Sequence, residues 1–281
     1  MNTRQQISWK VGMVPRSLFG LARSVSSLLN QLEDNGIFVE IGDDFAQYRA
    51  LRVAQTERGG IYPMFDAAAS YIDHRNGFWI TGRDEDGTLM HTQAVCLLDL
   101  HGITLAEHLW THRHKYITPN TTPDPDQTYY AGPRALEAIT GRVCYQGDFW
   151  LQGRGLGGPR SLGATALLSR LLFEIMHASW RPDYVFALVP KALGAKGAGL
   201  RYGYSHCEPG AWIGPDRQIT EEDFFIWMSA EDIDHKARED VARRAPSASP
   251  RPGLNGAGSP GLGTAHAPGT LHPAASPIVA G

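Results

Sequence analysis

Beyond Val143 the chain runs through an apolar stretch ending Phe149-Trp150-Leu151, then a glycine-rich loop over residues 153–159. A long segment with helical apolar spacing follows, opening Arg160-Ser-Leu-Gly163-Ala-Thr165. A helix entered through small residues turns unbonded backbone N–H groups and its positive dipole end outward, which suits a phosphate or pyrophosphate. Gly153-Arg-Gly155-Leu-Gly157-Gly158 satisfies the G-x-G-x-x-G pattern by letter, but not in context. Pro159 and Arg160 separate the glycines from the helix, and the next strand ends Val189-Pro190-Lys191 with its one acid, Asp183, at the wrong end for a ribose contact. No Gly-Lys-Ser/Thr follows, which excludes a Walker loop; a flexible loop without a ligand is the bland alternative. His108 and His112 stand one helical turn apart with His114 beside them, yet the pair encloses no Glu and lacks a clear third ligand, so a solvated helix face is the better reading. Cys96, Cys144 and Cys207 are odd in number and lack metal spacing, which fits unpaired thiols in a reducing compartment.

Several elements must position these residues. Leu18, Leu21, Val25, Leu28, Leu29 and Leu32 recur at helical spacing behind Pro15, and Gly36 ends that helix. A strand over 37–41 follows, then a helix capped by Asp43 or Asp44 that runs to about Thr56 and carries Phe45, Tyr48, Leu51 and Ala54 inward. A second helix is expected over 64–72. Two strand-like runs, 77–82 and 88–98, flank an Asp-Gly turn and predict an antiparallel hairpin. Residues 103–116 read as a helix, 119–127 as a proline-broken segment that is mobile or forms a lid, and 134–140 as a short helix. Beyond the strand, loop and helix of the opening, 183–189 is a buried strand, giving a strand-helix-strand unit and a locally parallel pair. Residues 191–202 form a helix weakened by Gly194, Gly197 and Gly199, three glycines that signal close backbone approach. Strands over 206–213 and 224–228 close the fold, with Thr220-Glu-Glu-Asp223 as a turn between them.

The 281 residues, 42% hydrophobic and 20% charged, suffice to bury a real core, of one sizeable domain or one and a half. A net charge of −3 makes no electrostatic case for nucleic acid or a membrane surface. No apolar run reaches transmembrane length and no signal-peptide pattern opens the chain, so a cytoplasmic protein is expected. The expected division is a helical extension over 1–35, one domain over 36–232, and a polar segment with a disordered Pro/Gly/Ala-rich tail over 233–281.

From Ile37 to about Met228 the order of elements resembles the GCN5-related N-acetyltransferase (GNAT) superfamily. Its pyrophosphate motif, Gln/Arg-x-x-Gly-x-Gly/Ala at a helix start, fits two registers: Gln152-x-x-Gly155-x-Gly157, and Arg160-x-x-Gly163-x-Thr165 with Thr for the last small residue. The second leaves about one helix length before Asp183 and is preferred. Gly203-Tyr204 is similar to the ending of the family's last cofactor-side helix, but Gly199 stands where the family often has the tyrosine that protonates the departing thiolate, and Ala192 where it often has an asparagine.

The resemblance implies an α/β (α+β) fold: a mixed, mostly antiparallel central sheet with a splayed parallel strand pair, flanked by helices. It implies an acyltransferase moving an acetyl or other acyl group from acetyl-CoA or another acyl-CoA to an amine, on a small molecule or a peptide. Pantetheine would pair along Phe149, Trp150 and Leu151, the Leu151 amide would stabilise the oxyanion, and Arg160, Leu162, Gly163, Ala164 and Thr165 would hold the pyrophosphate. The ammonium must lose a proton, for which Asp148 is the first candidate and His91, His206 and Glu208 follow; Tyr202 could replace the missing acid from the next turn. Trp79, Trp110, Trp150, Trp212 and Trp227 supply core mass, with Trp150 alone near the acyl channel. No metal is expected, and a homodimer is compatible. Two alternatives stand beside this one: long-chain transfer from acyl carrier protein, and a GNAT-like acyl-CoA-binding module without catalysis, motivated by Gly199.

Overall fold

Seven strands form the main sheet, in the order β1-β2-β3-β5-β6-β10-β7. They are β1 (Phe38–Gly42), β2 (Gly77–Arg83), β3 (Leu89–Leu100), β5 (Gly141–Leu151), β6 (Tyr184–Pro190), β7 (His206–Pro209) and β10 (Asp223–Ser229). Every neighbouring pair is antiparallel except β5 and β6, which run parallel. A second sheet of three short strands, β4 (Tyr129–Ala131), β8 (Ala211–Ile213) and β9 (Ile219–Glu221), stands beside it. The computed structural model describes residues 15–117, 124, 126–153 and 163–236, all within one compact unit, Met1–Arg243. The proline-broken segment, the glycine loop and the C-terminal tail fall largely or wholly outside the described residues.

The sheet carries an apolar cluster on each face. On the first face α1 (Pro15–Asp34) packs against α4 (Ala164–Trp180), and Leu28, Leu32, Leu168, Leu171, Leu172 and Met176 are fully buried there. Of the stripe read from the sequence, Val25, Leu28, Leu29 and Leu32 are thus built into the same core as the sheet, while Leu18 is exposed. On the second face α2 (Phe45–Val53), α3 (Leu105–Thr111) and the small sheet cover Trp79, Tyr145, Phe186 and Phe225. Asp44 caps α2 by accepting the N–H groups of Ala46 and Gln47, and Thr104 with Glu107 forms a capping box on α3.

Five expectations change in detail. The short helix expected over 134–140 is a 3₁₀ helix, Arg134–Glu137. Residues 64–72 hold one 3₁₀ turn, Pro63–Phe65, and no α-helix, because the Asp66 carboxylate bonds the Ala68 N–H and offers the backbone a turn in place of a helix. The helix expected over 103–116 is α3 followed by a 3₁₀ turn, Arg113–Lys115. The segment 191–202 breaks into two single turns, α5 (Lys191–Gly194) and α6 (Ala198–Arg201), around Gly197 at φ 75°. The strand expected over 206–213 divides at Gly210, where a Cβ would sit 2.1 Å from the Tyr130 hydroxyl, so β7 stays in the main sheet and β8 joins the small one. The small sheet was not anticipated.

Candidate functional site

The parallel pair is short. Val143, Cys144 and Tyr145 register with Tyr184, Val185 and Phe186; β5 then continues to Leu151 and β6 to Pro190 without pairing to each other. On its other edge β5 stays bonded to β3 as far as Leu151, opposite His91. The sheet therefore splits between β5 and β6, the splayed pair expected from the sequence.

A β-bulge shapes the β5 edge of the split. Thr92 faces Trp150 and Ala94 faces Gly147, so Gln93 alone opposes two residues, Asp148 and Phe149, and Asp148 adopts φ 51°, a left-handed conformation that Asp tolerates better than most residues. The bulge reverses alternation: Tyr145, Gly147, Asp148 and Trp150 serve the second face, while Phe149 and Leu151 pack in the first-face cluster. Without it, Asp148 would point with Gln146 toward α4.

Asp148 is consequently enclosed by α2 and the turn after it. Its Oδ2 accepts from the Tyr48 hydroxyl at 2.5 Å and from Arg52 Nε at 2.6 Å, and its Oδ1 from Arg58 at 3.3 Å. Arg58 also donates to Thr92 Oγ1 at 2.9 Å and lies 4.5 Å above the Trp150 ring. Burial first, then the Asp148 charge, raises the Tyr48 phenol well above its usual value; burial lowers Arg58, with Arg52 adding to the effect and Asp148 opposing it. Two guanidinium groups thus meet one buried carboxylate.

On the first face His91 is fully buried and its Nδ1 lies 2.6 Å from the Trp150 carbonyl oxygen. A carbonyl only accepts, so Nδ1 carries the proton and Nε2, enclosed without a partner, is a bare lone pair. Burial is the chief cause that lowers this imidazole to about 3 and keeps it neutral. The carbonyl it bonds belongs to the same peptide unit as the Leu151 N–H, and a donor on the oxygen polarises that N–H. The Gln152 N–H donates to Met90 O, so antiparallel alternation turns the Leu151 N–H away from β3, toward the β6 side.

Deeper on this face a polar chain crosses the core. The Tyr204 hydroxyl donates to Gln146, Gln146 to Gln93, and Gln93 to the Leu168 carbonyl of α4, at 2.7, 2.9 and 2.9 Å. It ties the split strand to the helix whose N-terminus is Gly163, at φ 77°, followed by Ala164 and Thr165. Gly163 has no side chain to cap those amides. Arg160 and Leu162 lie outside the described residues. Tyr202, half-buried, sets its ring 4.7 Å from that of Phe149, which meets His91 at 4.9 Å. Gly199 faces the sheet, where a Cβ would meet Cys207 and Ile226 at 3.3 Å, so its missing side chain is a packing requirement of α6.

Across the split, Asp223 begins β10 opposite Pro190. It is 5% exposed; Oδ2 accepts from Trp212 Nε1 at 2.9 Å, Oδ1 is enclosed without a partner, and its backbone oxygen accepts from the Tyr130 hydroxyl at 2.9 Å. Burial, then the nearby Glu221 charge, raises its carboxyl to about 6. Of the Thr220-Glu-Glu-Asp223 run, expected as a turn, residues 219–221 form β9 and Asp223 enters the core. Strand alternation, Asp223-Phe225-Trp227, was the signal that places it on the inward face; Arg52, spaced with Phe45 and Tyr48 along α2, carried a similar one.

The remaining candidates stand apart. His206 stacks on Trp227 at 3.9 Å and approaches Asp232 at 3.3 Å, while Glu208 accepts from Trp227 Nε1. His108 is buried rather than solvated, bonded to the Tyr116 hydroxyl at 2.8 Å and lowered to about 4, mainly by burial. Among the described residues no group of three or more His, Cys, Asp and Glu could hold a metal ion, and no helix is long and apolar enough to cross a membrane. Trp110, expected in the core, is 57% exposed.

No family model and no curated protein sequence matches the chain. Solved structures that resemble it include a protein of Acinetobacter baylyi ADP1 provisionally assigned as an acetyltransferase, at 10% identity and TM-score 0.37, covering 69% of this chain and 92% of that one. An N-acyl amino acid synthase, FeeM, from uncultured soil microbes aligns at 10% identity and TM-score 0.33 over 79% of this chain and 95% of its own. A CoA-dependent acyl-homoserine lactone synthase, MesI, aligns at 15% identity and TM-score 0.32 over 70% and 87%. Likenesses this distant carry no weight on activity. What makes the fold GNAT-like is the chain's own topology: a mixed, mostly antiparallel sheet, one parallel pair that parts after three residue pairs, and a helix joining the two parted strands.

Proposed function

We propose that the protein transfers an acyl group from an acyl thioester to an amine, with the reacting carbonyl seated between β5 and β6. The parting of these strands beyond Tyr145 and Phe186 is the observation that carries this reading. A thioester with an extended pantetheine arm needs a slot that offers backbone hydrogen bonds, and a sheet opened between two parallel strands is such a slot. The Leu151 N–H, turned to the β6 side and polarised through the His91 bond to Trp150, is the donor suited to the oxyanion. Phe149 and Trp150 would flank the arm. Gly163, Ala164 and Thr165 at the start of α4 would meet the pyrophosphate of a CoA donor, with Arg160 and Leu162 just before them in sequence.

Asp148 takes a different role from the one its sequence position suggested. Both oxygens of its carboxylate are already engaged, by two guanidinium groups and a phenol. We assign it the positioning of Arg58 and Trp150 beside the split. Tyr202, against Phe149, is the proposed proton source for the departing thiolate. Acetyl-CoA is the first donor to test, an amine on a small molecule or a peptide the acceptor class, and the three free cysteines fit a reducing, cytoplasmic setting. A thermal-shift series with acetyl-, octanoyl- and palmitoyl-CoA, followed by thiol release with a panel of primary amines, tests the proposal. Stabilisation by at least one thioester with amine-dependent thiol release is expected; no stabilisation by any of them would contradict it, and stabilisation without turnover would favour a binding module.

A further inference from the structure

Asp223 lies where β6 has already lost β5, on the second face, the face of Asp148 and Arg58. The Tyr145 phenol on β5, raised first by burial, is raised further by Tyr62, Asp223 and Asp148, so both carboxylates are within electrostatic reach of one side chain beside the split. Packing alone does not require a carboxylate at 223: an amide oxygen would accept the same Trp212 indole, and the bare, enclosed Oδ1 is a cost to the fold. Resting on the acyl-transfer reading, we propose that Asp223 is the general base, its Oδ1 taking a proton from the acceptor's ammonium group on the second face of the split.

The freed lone pair forms the C–N bond at the thioester carbonyl, the C–S bond breaks, and sulfur leaves with its electron pair. Of the two protons the nitrogen gives up, one passes through Asp223 to solvent and the other replaces the proton lent to the thiolate. Among the described residues the groups facing Asp223 are Trp212 from β8, which pulls its carboxyl down; Glu221 from β9, which with burial pushes it up to about 6; and the phenols of Tyr130 from β4 and Tyr145 from β5, both raised and neutral. Such a base is ionised at neutral pH and still close enough in basicity to release its proton.

The test is thiol release from acetyl-CoA by the full-length protein with primary amines, from pH 5 to 10, for wild type, Asp223→Asn and Asp223→Ala. Wild-type kcat/KM should rise through an acid limb near pH 6. Asp223→Asn should lose that limb and about 100- to 10,000-fold of the rate at pH 7. The loss should shrink with hydroxylamine, which is already unprotonated there, and added formate should partly restore Asp223→Ala. Asp223→Asn should melt no lower than wild type. A retained acid limb, a loss equal for all amines, or a markedly lower melting temperature would overturn the assignment while leaving acyl transfer standing. Absence of any thiol release or thioester binding by the wild type would overturn acyl transfer and the base together.

Discussion

At Asp148 the position in the sequence and the surroundings in the fold point to different roles. The residue sits on the central strand beside the expected acyl site, which made it the first candidate base, yet three donors from α2 and the following turn surround it. Asp148→Ala would leave Arg52 and Arg58 buried without their counter-charge; we expect it to lower unfolding stability by about 3–5 kcal/mol in a urea titration. A loss under 1 kcal/mol would show the pair to be dispensable. Two signals at this scale went unread: Arg52 falls on the inward stripe of α2, and Asp223, taken as the end of a turn, on the inward set of β10. The sequence did not disclose the bulge, because a left-handed Asp148 is settled by the strain its neighbours tolerate and leaves no periodic mark.

The elements that define the site were the legible ones. Long periodic segments, such as α4 and β5 with the strand after them, stand close to where apolar spacing put them, and the parallel pair followed from their order. Three-residue strands are too short to alternate visibly, so β4 and β9 escaped notice and β8 was read as the end of a longer strand; the turn at Pro63 was mistaken for a helix because Asp66 competes for backbone bonds in a way that apolar spacing does not record. The β5 edge of the split depends on Gly147. A Cβ there would lie 2.6 Å from the Phe65 ring and 3.0 Å from the Tyr145 hydroxyl, and those two rings are buried and stacked at 5.5 Å. Gly147→Ala should therefore cost about 1–3 kcal/mol through overpacking and also weaken thioester binding, read together by thermal melts with and without acetyl-CoA. An unchanged melt would mean the bulge yields more easily than the packing implies.

Across the whole molecule, buried titratable groups set the response to acid. His91 and His108 are held neutral, at about 3 and about 4, both chiefly by burial, against an unfolded value near 6.5. Their stability is fully present above about pH 6.5 and falls as acid lets the unfolded chain bind protons that the fold refuses. Asp223 opposes them: its folded value of about 6 exceeds the unfolded one, so it favours the fold as pH drops from 6 toward 4. In that window these three groups alone leave the unfolded chain an excess of about one proton, a contribution of about 1.4 kcal/mol per pH unit to the slope, and Asp223→Asn should steepen the wild-type slope by about a further 1.4 kcal/mol per pH unit. Urea midpoints at pH 4.5 to 6 read this directly, and an unchanged slope in the variant would remove Asp223 from the account. The central claim is that an acyl thioester occupies the opening between β5 and β6. Hydrogen–deuterium exchange of the full-length protein with and without saturating acetyl-CoA tests it most directly. We predict slowed exchange in peptides covering residues 146–151, 187–190 and the first turn of α4. Binding of acetyl-CoA with exchange unchanged there, and slowed elsewhere, would contradict it.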